Sequence, residues 1–478
     1  MSKSAFGISV RVWIALLAII FIAGGERARV ARPAFGNLQL SADTSAFVSM
    51  AGNLRHGLGL VDNAQIAEYE RSPQTYRIHA TQNPEVLRYW HVNDVGTALL
   101  YAVSALLFGN GPYPPNNLLF LQLIVDTLNV LLIFYLGKRI LNDALGLAAA
   151  LVYATITPQL TMASFVYYYY WQGAFALWNL VFLDRLLDEG LPELPWRRRL
   201  LLGGAWGLFI GVTVLIRSLC LGLFLAAIPF IVLRWRRNWR LAGTLIGLGV
   251  AGIALMNMMV LVPRMFHYGE ISNPRVFWHS IYTGLGAHPN PWGITFDDGV
   301  GFKAAEKAGI TSADPKFMIH YEDFIKREVF RYYGERPEIF VRNFLTNVVD
   351  GMAMRLYNRK DQPVTNRVRM DFKVFHRHVL IAMPLEPQFW PLFVIQLVVF
   401  VAVLPTRRWT YFFVLWQGIA MVCFVSALLP PYEAYNSGWF ASLSVLLSCM
   451  AYGGLLGFAL VGRWMADYML PRKFREPA

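Results

Sequence analysis

Ser41-Ala42-Asp43-Thr44-Ser45-Ala46-Phe47-Val48-Ser49-Met50-Ala51-Gly52-Asn53-Leu54-Arg55-His56-Gly57 follows the first long apolar run of the chain. Phe47, Met50-Ala51 and Leu54 recur at helical spacing, with polar residues between them. The pattern predicts an amphipathic helix with a carboxylate at its start. Gly57 and Gly59 stand where that helix should stop, because glycine takes the left-handed conformation that closes a helix end. Two readings of Asp43 are open. It, or Ser41, caps the helix by accepting from free backbone N–H groups, or its carboxylate takes a proton in a reaction.

The surroundings of this stretch decide the class of protein. Of 478 residues, 56% are hydrophobic and only 15% are charged, and the mean hydropathy is +0.41. Soluble domains carry about 25% charged residues, so this chain belongs in a bilayer. A span takes roughly 17–25 apolar residues, which leaves room for about ten spans and one sizeable polar loop. The net charge is +13, but its clusters flank apolar runs. They mark inward-facing ends, and no nucleic acid partner is expected. The three cysteines, Cys220, Cys423 and Cys449, lie inside apolar runs with no CxxC spacing, so neither a zinc site nor a disulfide framework is indicated. The first run, about 8–24, has no small-residue cleavage site before Glu26-Arg27 and reads as a retained anchor.

Counting positives inward gives a consistent map. An N-terminal transmembrane module covers 1–262, with its first outer loop at 25–117. Its later spans fall at about 118–137, 144–161, 163–183, 200–215, 219–233 and 241–262. Residues 97–108 are too few to cross and read as a helix along the outer surface. A loop domain at 263–388 is too long and aromatic for a linker. A C-terminal module, 389–478, holds spans at about 389–404, 411–429 and 439–460 and a basic inner tail. The expected fold is an all-α polytopic membrane protein, with amphipathic surface helices in the first outer loop and a mixed, mostly helical outer-face domain. All nine histidines fall in the two outer regions, so the polar chemistry belongs on that face.

With this layout, the first outer loop resembles that of the GT-C superfamily of membrane glycosyltransferases, which includes protein O-mannosyltransferases and lipid A aminoarabinose transferases. The resemblance rests on Asp43, on Ala51 to Leu54 and Gly57, on Leu99-Leu100-Tyr101-Ala102-Val103-Ser104-Ala105-Leu106-Leu107-Phe108-Gly109, and on Lys138-Arg139 after the second span. It covers roughly residues 1–240, and the rest matches in layout. Thr44 stands where family members often have Glu after the Asp, so the resemblance implies one acid here or a second from elsewhere.

Other residues join Asp43 as candidates. His91 and Asp94, in Trp90-His91-Val92-Asn93-Asp94, precede the 97–108 helix. Asp94 caps the helix, or both reach the site, Asp94 in a catalytic role and His91 on substrate. Their spacing is too sparse a ligand set to assign a metal, and no metal or cofactor is expected. Arg217 lies between two apolar runs. It snorkels at a turn, or its planar guanidinium holds a lipid phosphate. Arg359 and Lys360, with Arg355 and Tyr357, form an outer basic cluster that topology does not explain. It suits a phosphate or anionic headgroup as partner, or it is an ordinary solvated face. Trp278 and His279 open an aromatic stretch suited to stacking on sugar rings or to a membrane interface. Asp297-Asp298 is either a turn or a metal ligand pair. Tyr432 and Glu433 lie in the last outer loop, where the resemblance implies donor contact, although the Arg often found there is absent.

The resemblance implies a glycosyltransferase of the inner (plasma) membrane, acting on the outer face. The donor would be a polyprenyl-phosphate-linked sugar, and the acceptor a lipid, glycan or protein hydroxyl. Asp43 would serve as base, Arg217 as phosphate ligand, and the anomeric centre would invert. Two alternatives stay open. An O-antigen ligase or polymerase would use a pyrophosphate-linked glycan and residues of the large loop such as His279, Arg327, Arg331 and His376. A lipid-linked glycan flippase or transporter would use buried charge, for which Asp126 is the clear intramembrane acid.

Overall fold

In lipid, backbone N–H and C=O groups must be satisfied within the segment itself, so apolar runs fold as helices. The structure, a computed structural model, describes residues 9–35, 42–55, 57, 59–60, 62–63, 87–88, 95–109, 114–155, 160, 163, 166, 168–268, 277–311, 317–352, 355–356, 366–367, 371–374, 377–381 and 408–428. The first nine helices are α1 (Val10–Ala31), α2 (Ala42–Arg55), α3 (Thr97–Phe108), α4 (Pro114–Ile140), α5 (Asp143–Thr155), α6 (Tyr168–Leu186), α7 (Trp196–Ile216), α8 (Leu221–Arg234) and α9 (Trp239–Tyr268). Then come α10 (Phe277–Leu285), α11 (Asp298–Lys307), α12 (Phe317–Glu335), α13 (Pro337–Met352) and α14 (Arg408–Leu428). Three short antiparallel ladders accompany them. They are β1 (Asp62–Asn63) with β2 (Leu87–Arg88), β3 (Arg355–Leu356) with β4 (Asn366–Arg367), and β5 (Asp371–Val374) with β6 (Arg377–Ile381).

Where the expected spans fall on described residues they lie largely on α-helices; Val166 is not helical, and the span at 219–233 begins in the 3-10 turn Ser218–Cys220. The expected spans at 389–404 and 439–460 lie outside the described residues. Among the described residues, three helical stretches are long and apolar enough to cross a membrane by themselves: Asn116–Ile140, Trp196–Ile216 and Trp239–Pro263. Thr97–Phe108, Asp143–Thr155, Ser218–Arg234 and Phe412–Val425 are apolar but shorter. The architecture is a helical bundle consistent with membrane insertion.

The first helix departs from the sequence reading. It does not stop before Glu26-Arg27 but runs to Ala31. Arg27 is wholly buried and pairs with the equally buried Asp126 on α4, Nε to Oδ2 2.5 Å. Tyr153 on α5 donates its hydroxyl to Asp126 Oδ1 at 2.5 Å, and Arg27 Nη1 donates to the carbonyls of Ala23 and Ala154, each at 3.2 Å. A charge survives in an apolar bundle only when paired and hydrogen-bonded, and here α1, α4 and α5 supply the parts together.

At the far end of α4, Asp184 on α6 accepts from Arg139 Nε at 3.0 Å and from Thr410 Oγ1 on α14 at 3.1 Å. Tyr135 donates to the same carboxylate. Helices α7 and α9 pack through glycine. A Cβ on Gly252 would lie 2.0 Å from the Gly207 carbonyl oxygen, and one on Gly211 would lie 2.2 Å from that of Gly252. Small residues repeated at fourfold spacing let two backbones meet in this way.

Helices α10, α11 and α12 form a second core around Ile281, Tyr282, Leu285, Ile294, Tyr321 and Ile325, distinct from the core of the bundle. Asp297 opens α11 as its N-cap, accepting from Gly299 N at 2.6 Å. Asp298 is then the first residue of that helix, so the pair lies at a helix start.

Candidate functional site

The stretch that follows α1 folds as its pattern predicts. Helix α2 begins at Ala42, so Asp43 stands in its first turn. Ala46, Phe47, Met50 and Ala51 form its buried face, which packs against α3. Gly57 donates its N–H to Leu54 O at 3.1 Å, with φ 79°, and Gly59 has φ 87°. A left-handed conformation at this point is why glycine closes the helix. The β1–β2 ladder then pairs Asp62 with Arg88 and Asn63 with Leu87, which brings the chain back toward α3.

The start of α3 is built onto the end of α7. A helix leaves its last carbonyls without partners inside the helix, and α3 supplies them. Gly96 N–H donates to Leu215 O at 3.1 Å, and Thr97 Oγ1 donates to Ile216 O at 3.1 Å. Only glycine fits at position 96, since a Cβ there would lie 2.4 Å from Leu215 O. Arg217 follows at once. Its backbone is extended, at φ −147° and ψ 115°, and a 3-10 turn, Ser218–Cys220, leads into α8. Arg217 is 6% exposed. The arginine is thus at a built junction of α3, α7 and α8. Val95 is the first described residue after the stretch that carries His91 and Asp94. On its other side, α3 exposes Val103, Leu106 and Leu107, and its twelve residues span about 18 Å, too little to cross about 30 Å of hydrocarbon.

Trp278 and His279 stand in the first turn of α10, within the second core. His279 is buried, bonds through Nδ1 to the Tyr321 hydroxyl, and lies against Phe302 with ring centroids 5.1 Å apart. Trp278 packs on Phe330, with Lys326 Nζ 6.0 Å from its ring centroid. His91, Asp94, Arg359, Lys360, Tyr432 and Glu433 lie outside the described residues, as does His376. Arg327 Nε donates to Asp323 O at 3.3 Å, and Arg331 pairs with Glu328 at 2.5 Å. Asp126, the acid read for a transporter, is taken up in the pair with Arg27.

One group escaped the sequence reading. Glu322 on α12 is buried and accepts from the backbone N–H groups of Trp278 at 3.1 Å and His279 at 3.3 Å. It caps α10 from a neighbouring helix. Burial pushes its carboxyl up to about 7, although the two N–H bonds pull the other way. Its signal in the sequence is an acid on the apolar stripe Met318, Tyr321, Ile325, Val329. Among the described residues, no group of three or more His, Cys, Asp or Glu gathers as a metal site.

A crystal structure of the Archaeoglobus fulgidus oligosaccharyltransferase in the apo form matches this chain with a TM-score of 0.50 and 13% identity, over 95% of this chain and 52% of that one. The chain shares its fold with that oligosaccharyltransferase over the matched residues. The chain spans about half the length of that oligosaccharyltransferase. Archaeal AglB from the same organism, in complex with an inhibitory peptide and a dolichol-phosphate, gives 0.46 at 13% identity, over 95% and 52% of the two chains. ArnT from Cupriavidus metallidurans, bound to undecaprenyl phosphate, gives 0.35 at 13% identity, over 98% and 82%. No family model and no curated protein matches the sequence.

Proposed function

We propose that this chain is a multi-pass glycosyltransferase of the plasma membrane whose site faces outward. It moves a sugar from a polyprenyl-phosphate donor to an acceptor hydroxyl on a lipid, glycan or protein. The fold likeness supports the class. The observation that carries the reading is the docking of Gly96 and Thr97 on Leu215 and Ile216, which joins the start of α3 to the turn that bears Arg217.

The chemistry follows from the residue types. An isoprenoid tail needs an apolar helical surround, and its phosphate needs a cation at the membrane edge. Arg217 offers a planar fork to that phosphate. The acceptor oxygen attacks the anomeric carbon as the bond to the phosphate oxygen breaks. The proton of the acceptor hydroxyl goes to Asp43, and polyprenyl phosphate leaves on Arg217, helped by Arg359 or Lys360. Direct displacement inverts the anomeric centre. Asp94 and His91, on the stretch that runs into α3, assist at acceptor or sugar hydroxyls. Trp278, His279, Tyr432 and Glu433 are the further residues assigned to substrate. No metal has a role in this scheme.

The test is transfer by purified protein in lipid, with radiolabelled polyprenyl-phosphate sugars and a membrane-extract acceptor. Asp43→Asn should lower the rate about 10²–10⁴-fold, the range of a general base. Near-full activity of Asp43→Asn would move the base elsewhere, with Asp94→Asn tested next. No transfer from any such donor by wild type would overturn the reading.

A further inference from the structure

Amides buried in the bundle are bonded through at least one end, Gln172 excepted; Asn129, whose Nδ2 is open, still accepts from Trp178 through Oδ1 at 2.8 Å. Asn179 Nδ2 donates to Gln417 Oε1 at 2.8 Å, and Gln417 Nε2 donates to Ala176 O at 2.8 Å. Gln122 accepts from Trp171 Nε1 at 3.1 Å. Gln172 on α6 is 0% exposed, and neither its Nε2 nor its Oε1 has a hydrogen-bond partner among the described residues. Buried polar groups are almost always bonded, and an exception calls for a function.

The place of Gln172 follows from helix geometry. Asn179 Nδ2 donates to Leu223 O at 3.4 Å, and Trp235 Nε1 to Leu186 O at 3.1 Å, so α6 and α8 run side by side in the same direction. Gln172 is seven residues before Asn179, which puts it on the same face about 10 Å nearer the start of α6. That is the level of the turn from Arg217 to Cys220, against which α6 packs.

A carboxamide with both ends open takes a partner that both donates and accepts. Phosphate oxygens only accept, whereas neighbouring sugar hydroxyls do both. We propose that Gln172 is a specificity-determining residue that hydrogen-bonds two hydroxyls of the donor sugar, while Arg217 holds the phosphate. The proposal rests on the polyprenyl-phosphate reading above and names the group that reads the sugar.

The test is equilibrium binding to the full chain in lipid nanodiscs. The probes are undecaprenyl phosphate and a panel of its glucosyl, mannosyl, galactosyl and arabinosyl phosphodiesters. Wild type should bind at least one phosphodiester more tightly than undecaprenyl phosphate. Gln172→Met should erase about tenfold of that preference, leave undecaprenyl phosphate within about twofold, and unfold no lower than wild type, since it removes an amide without partners. Gln172→Asn, whose amide is drawn back by one methylene, should lose the preference too. Arg217→Gln should weaken every probe. An undiminished sugar preference in Gln172→Met would overturn the proposal. So would equal weakening of all probes, or a clear drop in its unfolding temperature, because either would make the amide structural. Wild type that binds undecaprenyl phosphate with no sugar preference overturns the role of Gln172 alone. Wild type that binds no probe overturns the donor reading and this role with it.

Discussion

Arg27 on α1 and Asp126 on α4 meet as an ion pair with no exposed surface on either side chain, 2.5 Å from Nε to Oδ2. The pair fixes how α1 sits against the bundle, and it makes an intramembrane acid a structural group. Its worth is not the Coulomb attraction alone, because both charges have been taken from water. It lies in what either would face without the other.

Asp126→Ala should therefore destabilise the chain by about 3–5 kcal/mol, the usual penalty for stranding a buried charge. The double variant Arg27→Met with Asp126→Leu should recover most of it. Thermal unfolding of wild type and the two variants in one detergent measures both effects. A double variant no better than the single would show that the three-helix hydrogen bonding, and not charge pairing, sets the stability.

The close approach of α7 and α9 gives a paired test. Gly252→Ala puts a Cβ 2.0 Å from the Gly207 carbonyl oxygen and should cost about 1–3 kcal/mol, as overpacking does. Gly243→Ala meets nothing within 4 Å and should stabilise by roughly 0.5–1 kcal/mol through helix propensity. Opposite signs from two Gly→Ala changes on one helix would confirm the contact.

Thr97→Val removes the hydroxyl that satisfies Ile216 O and keeps a branched side chain. Stability should fall by about 0.5–1.5 kcal/mol. Transfer activity should fall further than that loss explains, because Arg217 follows Ile216 directly. Activity that merely tracks the folded fraction would mean that the junction is scaffolding.

Glu322 gives a pH dependence with a definite sign. Its folded carboxyl is raised to about 7 from an ordinary value of 4.5. The folded state therefore keeps a proton that the unfolded chain has lost. Stability from this group is full below the ordinary value, falls as pH rises toward 7, and is level above it. Glu322→Gln removes the charge and keeps one acceptor oxygen where the carboxylate offers Trp278 and His279 one each. It should flatten stability across that window and raise it at pH 8 by roughly 1–3 kcal/mol. Unfolding temperatures at pH 5, 6, 7 and 8 decide it, and parallel curves for the two proteins would show that Glu322 does not titrate there.

Local features were legible before the fold was known. The helix that opens at Asp43 closes at Gly57 because spacing and a left-handed glycine act within one short segment. The turn at Arg217 was visible as one charge between two apolar runs. The aromatic stretch at Trp278 shows where sequence reading stops. Composition does not separate rings that line a sugar site from rings that fill a core, and His279 is buried against Phe302 and Tyr321.

By itself, the sequence determined where the helices run and stop and that their composition suits a bilayer, because hydropathy, charge clusters and helix stops are properties of neighbours along the chain. Only the tertiary structure decided which distant groups meet. Arg27 is paired across 99 positions with Asp126, Thr97 across 119 with Ile216, and α10 is capped by Glu322 from another helix. The physical reason is common to all three. A buried charge or an open helix end must find its partner wherever packing brings one, and separation along the chain holds no record of that.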